Sequence, residues 1–477
     1  MSLKTSAVIA ELNLYLGSER VRLEAPTPFT RELLDHIHDL DGFRVFIRPE
    51  CGGIYDRYSD CMTLIATVAH HSLELSLLLG ITSSLFVLPV GRYANPEARQ
   101  RVLADFQQRR LLAGMMMTEP DFGTNIMGIT TRFRPEGAGY RLCGAKHWAG
   151  LSGQADYWLV SARKERPTGA LGRDIDFFIV RSDQPGYRFE QAYPAAGLTA
   201  ISYGLTRFDV VVPADCKLCG PDTHIRVLYD ILNRSRISIS AIASGATRRL
   251  LEEAARWAAE RVVFGKPLLA YEQVQHRLAA MQAASTICAC VCTFAGAMLD
   301  AHEGPEPFIE MLAANIVKVT TTDLLQMSAQ SAVQLYGGQG FRKDHYVGKA
   351  FVDSRPFQIF EGSNDVLYEA VATQLIGEAS KLGLRSLRET LAHHPGLPPP
   401  NLPNDPVCDL PMQTEDSQVD RVLFGKIIAR YATIGIVQAS GPALRPELLE
   451  NAVSYLRAEC EGFHHERTTR FRCRFIG

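Results

Sequence analysis

Glu361 is a carboxylate whose apolar neighbours would suit it to acid–base work. It lies in QIFEGSND, residues 358–365, with Phe357, Ile359 and Phe360 before it and a glycine break after it. A carboxylate desolvated by such an apolar cluster has its proton affinity raised and can serve as a general base. The same segment also reads as a surface turn, and spacing alone places no base beside a substrate. Three glycine-containing segments accompany it: TEPDFGTN from Thr118, GAKHWAG from Gly144 and YGGQGF from Tyr336. None is the G-x-G-x-x-G fingerprint set between a parallel strand and a helix, and each alone reads as a turn that needs glycine's backbone freedom. The other reactive residue type is cysteine, present eleven times. Cys288, Cys290 and Cys292 are two residues apart in an apparent helix, a spacing that does not gather them on one face. Cys216 and Cys219 form a lone C-x-x-C with no second pair or nearby histidine to close a zinc site. Structural thiols in a reducing compartment are the expectation, with no metal.

The elements that must carry these residues fall in the order helices, sheet, helices, an α+β multidomain chain. Residues 1–110 predict an N-terminal helical domain, with one helix starting near Pro96. Residues 111–222 predict a mostly antiparallel β domain. Its short runs YWLVS at Tyr157, DFFIV at Asp176 and LTRFDVVV at Leu205 are divided by Gly, Pro and Asp. Helical pattern returns after His224, and residues 223–390 predict a C-terminal helical bundle with long helices over 271–301 and 308–336. In 391–477 the proline-rich HHPGLPPPNLPNDP reads as an extended linker, followed by two helices whose apolar faces require burial on the main body or on another subunit.

The chain has 477 residues, 46% apolar and 21% charged, with a formal charge of -2. That is an ordinary globular balance, without the global field that would attract a nucleic-acid backbone. No secretion signal is recognised at the amino end, so cytoplasm is the expected location. Leu278 to Leu299 carries no formal charge and is long enough to span a bilayer, but its Ala, Ser, Thr, Cys and Gln content predicts a buried helix rather than a membrane span.

TEPDFGTN, GAKHWAG, LNRSRISISAIASGATRRLLEEAARWAAERVVFGKPL, VQLYGGQGF and FEGSNDVL follow one another in that order. In this the chain resembles the acyl-CoA dehydrogenase and oxidase superfamily of flavoproteins, over residues 30 to 380. The resemblance implies an N-terminal helical domain, a middle β domain and a C-terminal four-helix domain, with FAD at their junction and an extra helical tail here. It assigns proton abstraction to Glu361. Some relatives place the base at the position of Ser235, which as a neutral residue cannot replace it, and Arg236 takes a supporting, substrate-side role. It assigns cofactor contacts to Thr118, Trp148, Gly150, Arg261, Gln334, Gly337, Gly338 and Ser363, and further substrate contacts to Thr124 and Gly362. Arg261, Gln334, Gly337 and Gly338 would serve the cofactor across a subunit interface, which implies a homodimer or homotetramer. The implied reaction is α,β-dehydrogenation of an acyl thioester, carried by CoA or by an acyl carrier protein: Glu361 takes the α-proton, flavin N5 takes the β-hydride, and electron-transfer flavoprotein is the implied acceptor.

The pattern departs from the family in places. Trp148-Ala149-Gly150 stands where a W-I-T motif would place a threonine hydroxyl near the flavin. Glu272 replaces a glutamine, Val352-Asp353 an arginine–aspartate pair, and Asp365 a cofactor-contacting glutamine. Gly150 and the GTN at Gly123 are similar to acyl-CoA oxidases, which return electrons to oxygen. A flavin monooxygenase on the same fold and a non-catalytic interaction protein are the further alternatives. Retention of Glu361 weighs against the former, and joint retention of Thr118, Trp148, Arg261, Glu361 and Ser363 against the latter.

Overall fold

The computed structural model describes residues 2–25, 27–219, 224–413 and 417–469. The division expected at 222/223 lies outside the described residues. Two compact units share the chain. The first holds Met1–Ser238, Gly296–Ile309 and Lys343–Asp353; the second holds Ile239–Ala295, Glu310–Arg342 and Ser354–Gly477.

The first unit opens with helices α1 (Leu3–Ser18), α2 (Arg31–Asp39), α3 (Tyr58–His71), α4 (Leu73–Thr82) and α5 (Pro96–Gln108). Their starts are written in the sequence. Ser2, Thr30, Ser72 and Asn95 each accept a backbone N–H of the first turn, and Pro96 sits where its missing N–H costs nothing. From α4 the helix continues through a π turn, Ser83–Val87, to Tyr93.

A seven-stranded sheet follows: β1 (Ala113–Met116), β2 (Arg132–Glu136), β3 (Gly139–His147), β4 (Tyr157–Glu165), β5 (Leu171–Arg181), β6 (Tyr187–Ala192) and β7 (Gly204–Pro213). The order is β1-β4-β2-β3-β7-β6, with β5 also on β4. The antiparallel expectation holds for β2/β3, β3/β7, β4/β5 and β6/β7, but β4 pairs in parallel with both β1 and β2. Parallel neighbours need a long crossover, and the β2–β3 hairpin is part of the one between β1 and β4. Along β7 buried and outward residues alternate from Thr206 to Pro213, so the sheet has one packed face.

Helix α6 (His224–Glu260) and helix α7 (Glu272–Asp300) each pass through the division between the units. In the second unit they are joined by α8 (Met311–Tyr336), and then, beyond α9 (Tyr346–Asp353) of the first unit, by α10 (Asn364–Leu382). Tyr336 donates to the Glu253 carbonyl, Cys288 to the Thr321 carbonyl and Lys318 to Asn364, tying α6, α7 and α10 to α8. Burial pushes the Cys288 thiol up, and pushes Cys216 up to about 11, which disfavours the reactive thiolate at both.

The proline-rich segment is extended, as expected, but it is not a free linker. After α11 (Leu387–His393), Asn401 and Gln438 exchange hydrogen bonds at 2.7 and 2.9 Å, and Asp405 accepts from Tyr431, Arg457 and two backbone N–H groups. The segment is strapped onto α12 (Gln418–Ala439) and α13 (Pro446–Thr469), and the tail belongs to the compact second unit. Helix α12 lies hard against α10, since a Cβ on Gly425 would sit 2.0 Å from the Tyr368 carbonyl oxygen. Gly425→Ala is therefore expected to cost about 1–3 kcal/mol, because backbone must move to admit the methyl; denaturant unfolding measures it.

Three helical stretches among the described residues are long and apolar enough to cross a membrane: Leu73–Tyr93, Glu272–Asp300 and Gln418–Ala439. Their apolar windows are 94%, 50% and 78% buried within the protein.

Candidate active site

In the first unit a group of the expected residues lies where β3 ends. The His147 N–H donates to the Thr118 carbonyl at 2.9 Å and the Trp148 N–H to the Gly204 carbonyl at 3.1 Å. Trp148 adopts φ 55 and Leu151 φ 73, conformations that cost a non-glycine residue about 1–3 kcal/mol and persist where the surroundings enforce them. The Trp148 side chain is 52% exposed, with the Tyr193 and Tyr203 rings at 4.9 and 6.0 Å. It thus presents an aromatic face rather than filling the core.

The backbone around Thr118 is held from below. The Lys146 ammonium, fully buried, donates to the Met117 carbonyl, the Glu119 carboxylate and the Ser161 hydroxyl, each at 2.9 Å. Glu119 also accepts the Thr130 and Thr131 N–H groups and the Thr130 hydroxyl. Burial works to raise the Glu119 carboxyl, but Lys146 and these hydrogen bonds hold it down at about 2. Burial draws Lys146 down to about 8 against the pull of Glu119. Every ammonium hydrogen has an acceptor, so the pair is ionised at neutral pH. Sequence reasoning named both segments without seeing this pair. The signal was there: Lys146 is four residues from buried Leu142 on one strand, hence on the same inward face.

Gly150, where the family pattern has threonine, has a packing reason. A Cβ there would come within 2.5 Å of Ile81 Cδ1. Gly150→Thr is expected to lower stability by about 0.5–1.5 kcal/mol, the cost of turning the end of the Ile81 side chain off its rotamer, and Ile81→Ala in the same chain to relieve part of it, read as non-additive melting shifts. Thr124 lies exposed in the loop after the Glu119–Phe122 bridge. Arg236 is half-buried on α6, with Nη1 3.4 Å from Asn233 Oδ1, beside buried Ser235. Asp353, which keeps the aspartate of the pair whose arginine is Val352 here, is buried; it accepts the Leu198 N–H and pairs with Lys349, which also pairs with Glu74.

In the second unit Glu361 sits at the apex of a loop between Gln358 and Asn364. It has φ 58 and Gly362 has φ 94, so two successive residues are left-handed. Asp323 Oδ1 accepts from Gln358 at 2.7 Å and from Asn364 at 2.6 Å, one on each leg. Fully buried Lys318 donates to the Gly362 carbonyl at 2.8 Å and to Asn364 at 2.7 Å. The apolar cluster expected around Glu361 is only partly formed. Phe357 is core and its ring meets Phe360 at 5.0 Å, whereas Ile359 is exposed and Glu361 itself half-buried. Ser363 is the N-cap of α10, without a side-chain cap bond.

The remaining expected residues gather at the joined ends of α6 and α8, where Trp257 stacks on Tyr336 at 4.6 Å and donates to the Leu335 carbonyl. Arg261 and Gln334 are exposed there, and Gly337 (φ 61) and Gly338 border open space.

Three domain families match in sequence: acyl-CoA dehydrogenase N-terminal domain at 17–109, middle domain at 114–211 and C-terminal domain at 225–376. The chain belongs to the acyl-CoA dehydrogenase family. Among curated members it is 28% identical over 349 residues to the very long-chain specific acyl-CoA dehydrogenase, mitochondrial, of Mus musculus, covering 72% of this chain and 53% of that one. It is 27% identical over 343 residues to the short-chain specific acyl-CoA dehydrogenase of Megasphaera elsdenii, covering 71% and 88%. The chain thus spans about half the length of the very long-chain relatives it matches. The family fold recurs in butyryl-CoA dehydrogenase from Megasphaera elsdenii (TM-score 0.70, 22% identity, 79% of this chain and 99% of that one). It recurs also in an acyl-CoA dehydrogenase complexed with FAD from Bacillus anthracis (TM-score 0.79, 19% identity, 98% and 88%). The three domain-family matches end at 376, before α12 and α13.

Proposed function

We propose that this member is an FAD-dependent oxidoreductase that removes the α-proton and β-hydride from an acyl thioester, with Glu361 as the base. The observation that carries the reading is Glu361 itself, a carboxylate in a left-handed conformation at the apex of a loop fastened on both legs. Such outlying backbone concentrates where function requires it.

The residues suit FAD. In the first unit the half-exposed Trp148 ring and the fastened backbone at Thr118 offer a face for a planar ring system, with Gly150 beside them. In the second, exposed Arg261 offers a fixed donor fork to a diphosphate, Gly337 and Gly338 leave room for close approach, and Gln334 and Ser363 supply polar groups. Bound FAD supplies the acceptor for the β-hydride. The thioester carbonyl acidifies the α-carbon, and the Glu361 carboxylate takes and holds that proton. Backbone N–H groups of the Glu361 loop are donors for the developing enolate oxygen, and Lys318 and Asp323 keep that loop in place. Arg236 and Thr124 take the substrate-side roles.

Homodimeric or homotetrameric assembly, a cytoplasmic location, a CoA or carrier-protein thioester and electron-transfer flavoprotein as acceptor complete the proposal. Two experiments test it. Purified protein should carry yellow FAD, and its thioester-reduced form should pass electrons to electron-transfer flavoprotein faster than to oxygen; rapid peroxide formation would instead identify an oxidase.

A further inference from the structure

The Glu361 loop is fastened by Asp323, and Asp323 is balanced from a part of the chain beyond the three family-domain matches, which end at 376. Arg430 lies on α12 and its side chain is 1% exposed. Its Nη2 donates to Asp323 Oδ2 at 3.2 Å, its Nη1 to the Tyr368 hydroxyl at 2.9 Å, and its Nε to Glu459 of α13 at 2.7 Å. Tyr368 in turn donates to Asp323 Oδ2 at 2.6 Å. One carboxylate is thus divided by task. Oδ1 holds the two legs of the loop, through Gln358 and Asn364, and Oδ2 is held by Arg430 and Tyr368.

Burial, the largest single influence, works to raise the Asp323 carboxyl, but the Arg430 guanidinium and the Tyr368, Gln358 and Asn364 hydrogen bonds together outweigh it and keep the group below the usual range. The planar guanidinium suits this place because its N–H groups are spread over a fork, with Nη2 on Asp323, Nη1 on Tyr368 and Nε on Glu459, whereas a lysine ammonium would have to reach all three from one point.

We propose that Arg430 is a positioning residue for the Glu361 loop, so that the two tail helices form a working part of the site by clamping Asp323. The inference rests on Glu361 being the base only for its catalytic consequence; the clamp itself is a property of the loop.

The test compares Arg430→Met, Arg430→Lys and Glu459→Gln with the full-length wild type, FAD-loaded. Hydrogen exchange of residues 358–364 reads the clamp, and the limiting rate of anaerobic flavin reduction reads its consequence. Arg430→Met leaves Asp323 without its cation; where that variant does not fold, the other two carry the test. In Arg430→Lys, exchange across 358–364 is expected to rise about 10-fold or more, as local opening becomes easier, while amides within α6 and α12 keep their protection. The limiting rate should fall about 10- to 100-fold with little change in the half-saturating thioester concentration, because placement of the base is lost rather than binding. Glu459→Gln should move both readouts the same way by less. Wild-type exchange and rate in folded Arg430→Lys overturn the proposal. So does a loss of protection spread evenly through α10, α12 and the loop, which would make Arg430 a packing residue of the tail. If no thioester reduces the wild-type flavin, the reading of the reaction falls while the exchange arm still decides the clamp.

Discussion

Glu361→Gln is expected to slow reduction of the bound flavin by a thioester about 10²- to 10⁴-fold, the range for losing a positioned general base. Glutamine keeps the size of the side chain but cannot take up the proton. The fastenings of the loop run through Gln358, Gly362 and Asn364, so the backbone that places residue 361 should survive the change. Cofactor content and melting temperature should accordingly stay near wild type. Rapid mixing of oxidised variant and wild type with the same thioester, without oxygen, measures the ratio; an unchanged rate would place the base elsewhere.

Lys146→Met is the second large effect, and it acts on stability. The variant leaves the Glu119 carboxylate buried without its cation, and breaking a buried pair from one side costs about 3–5 kcal/mol. The Met117 carbonyl and the Glu119 side chain lose their tie, so FAD retention should fall as well. Lys146→Met with Glu119→Gln removes both charges and should recover much of the stability, because what is expensive is the unpaired charge. Denaturant midpoints of the two single variants and the double variant measure the coupling. Acid should act through the same pair. The Glu119 carboxyl is held at about 2, below its unfolded value, so its stabilisation is present above the unfolded value near pH 4.5 and is lost as pH falls toward 2.

The sequence made the element order legible because local signals agreed with the global fold. Ser2, Thr30, Ser72 and Asn95 cap helices where the apolar period begins, and YWLVS, DFFIV and LTRFDVVV lie within β4, β5 and β7. The parallel partners of β4 were not legible, since strand pairing at long separation leaves no local mark. Nor was the strapping of the proline-rich segment. Its composition forbids a helix, which is local, but says nothing about Asp405 accepting from Tyr431 and Arg457. In the candidate site, Thr118 and Trp148 could be named from motif order, but the reason for Gly150 is Ile81, and the fastening of Glu361 comes from Lys318 and Asp323. Those partners are about forty to seventy residues away in sequence and carry no motif of their own.

Proton abstraction by Glu361 is tested most directly by anaerobic titration of the FAD-loaded protein with short, medium, branched and aromatic acyl-CoA thioesters. Absorbance of the oxidised flavin is followed and the product is identified by mass. At least one thioester is expected to bleach the flavin, the acyl product to be lighter by two hydrogens at the α,β position, and Glu361→Gln to slow both about 10²- to 10⁴-fold. Bleaching of Glu361→Gln at the wild-type rate, or an oxidised flavin that no CoA or carrier-protein thioester reduces, would overturn proton abstraction by Glu361.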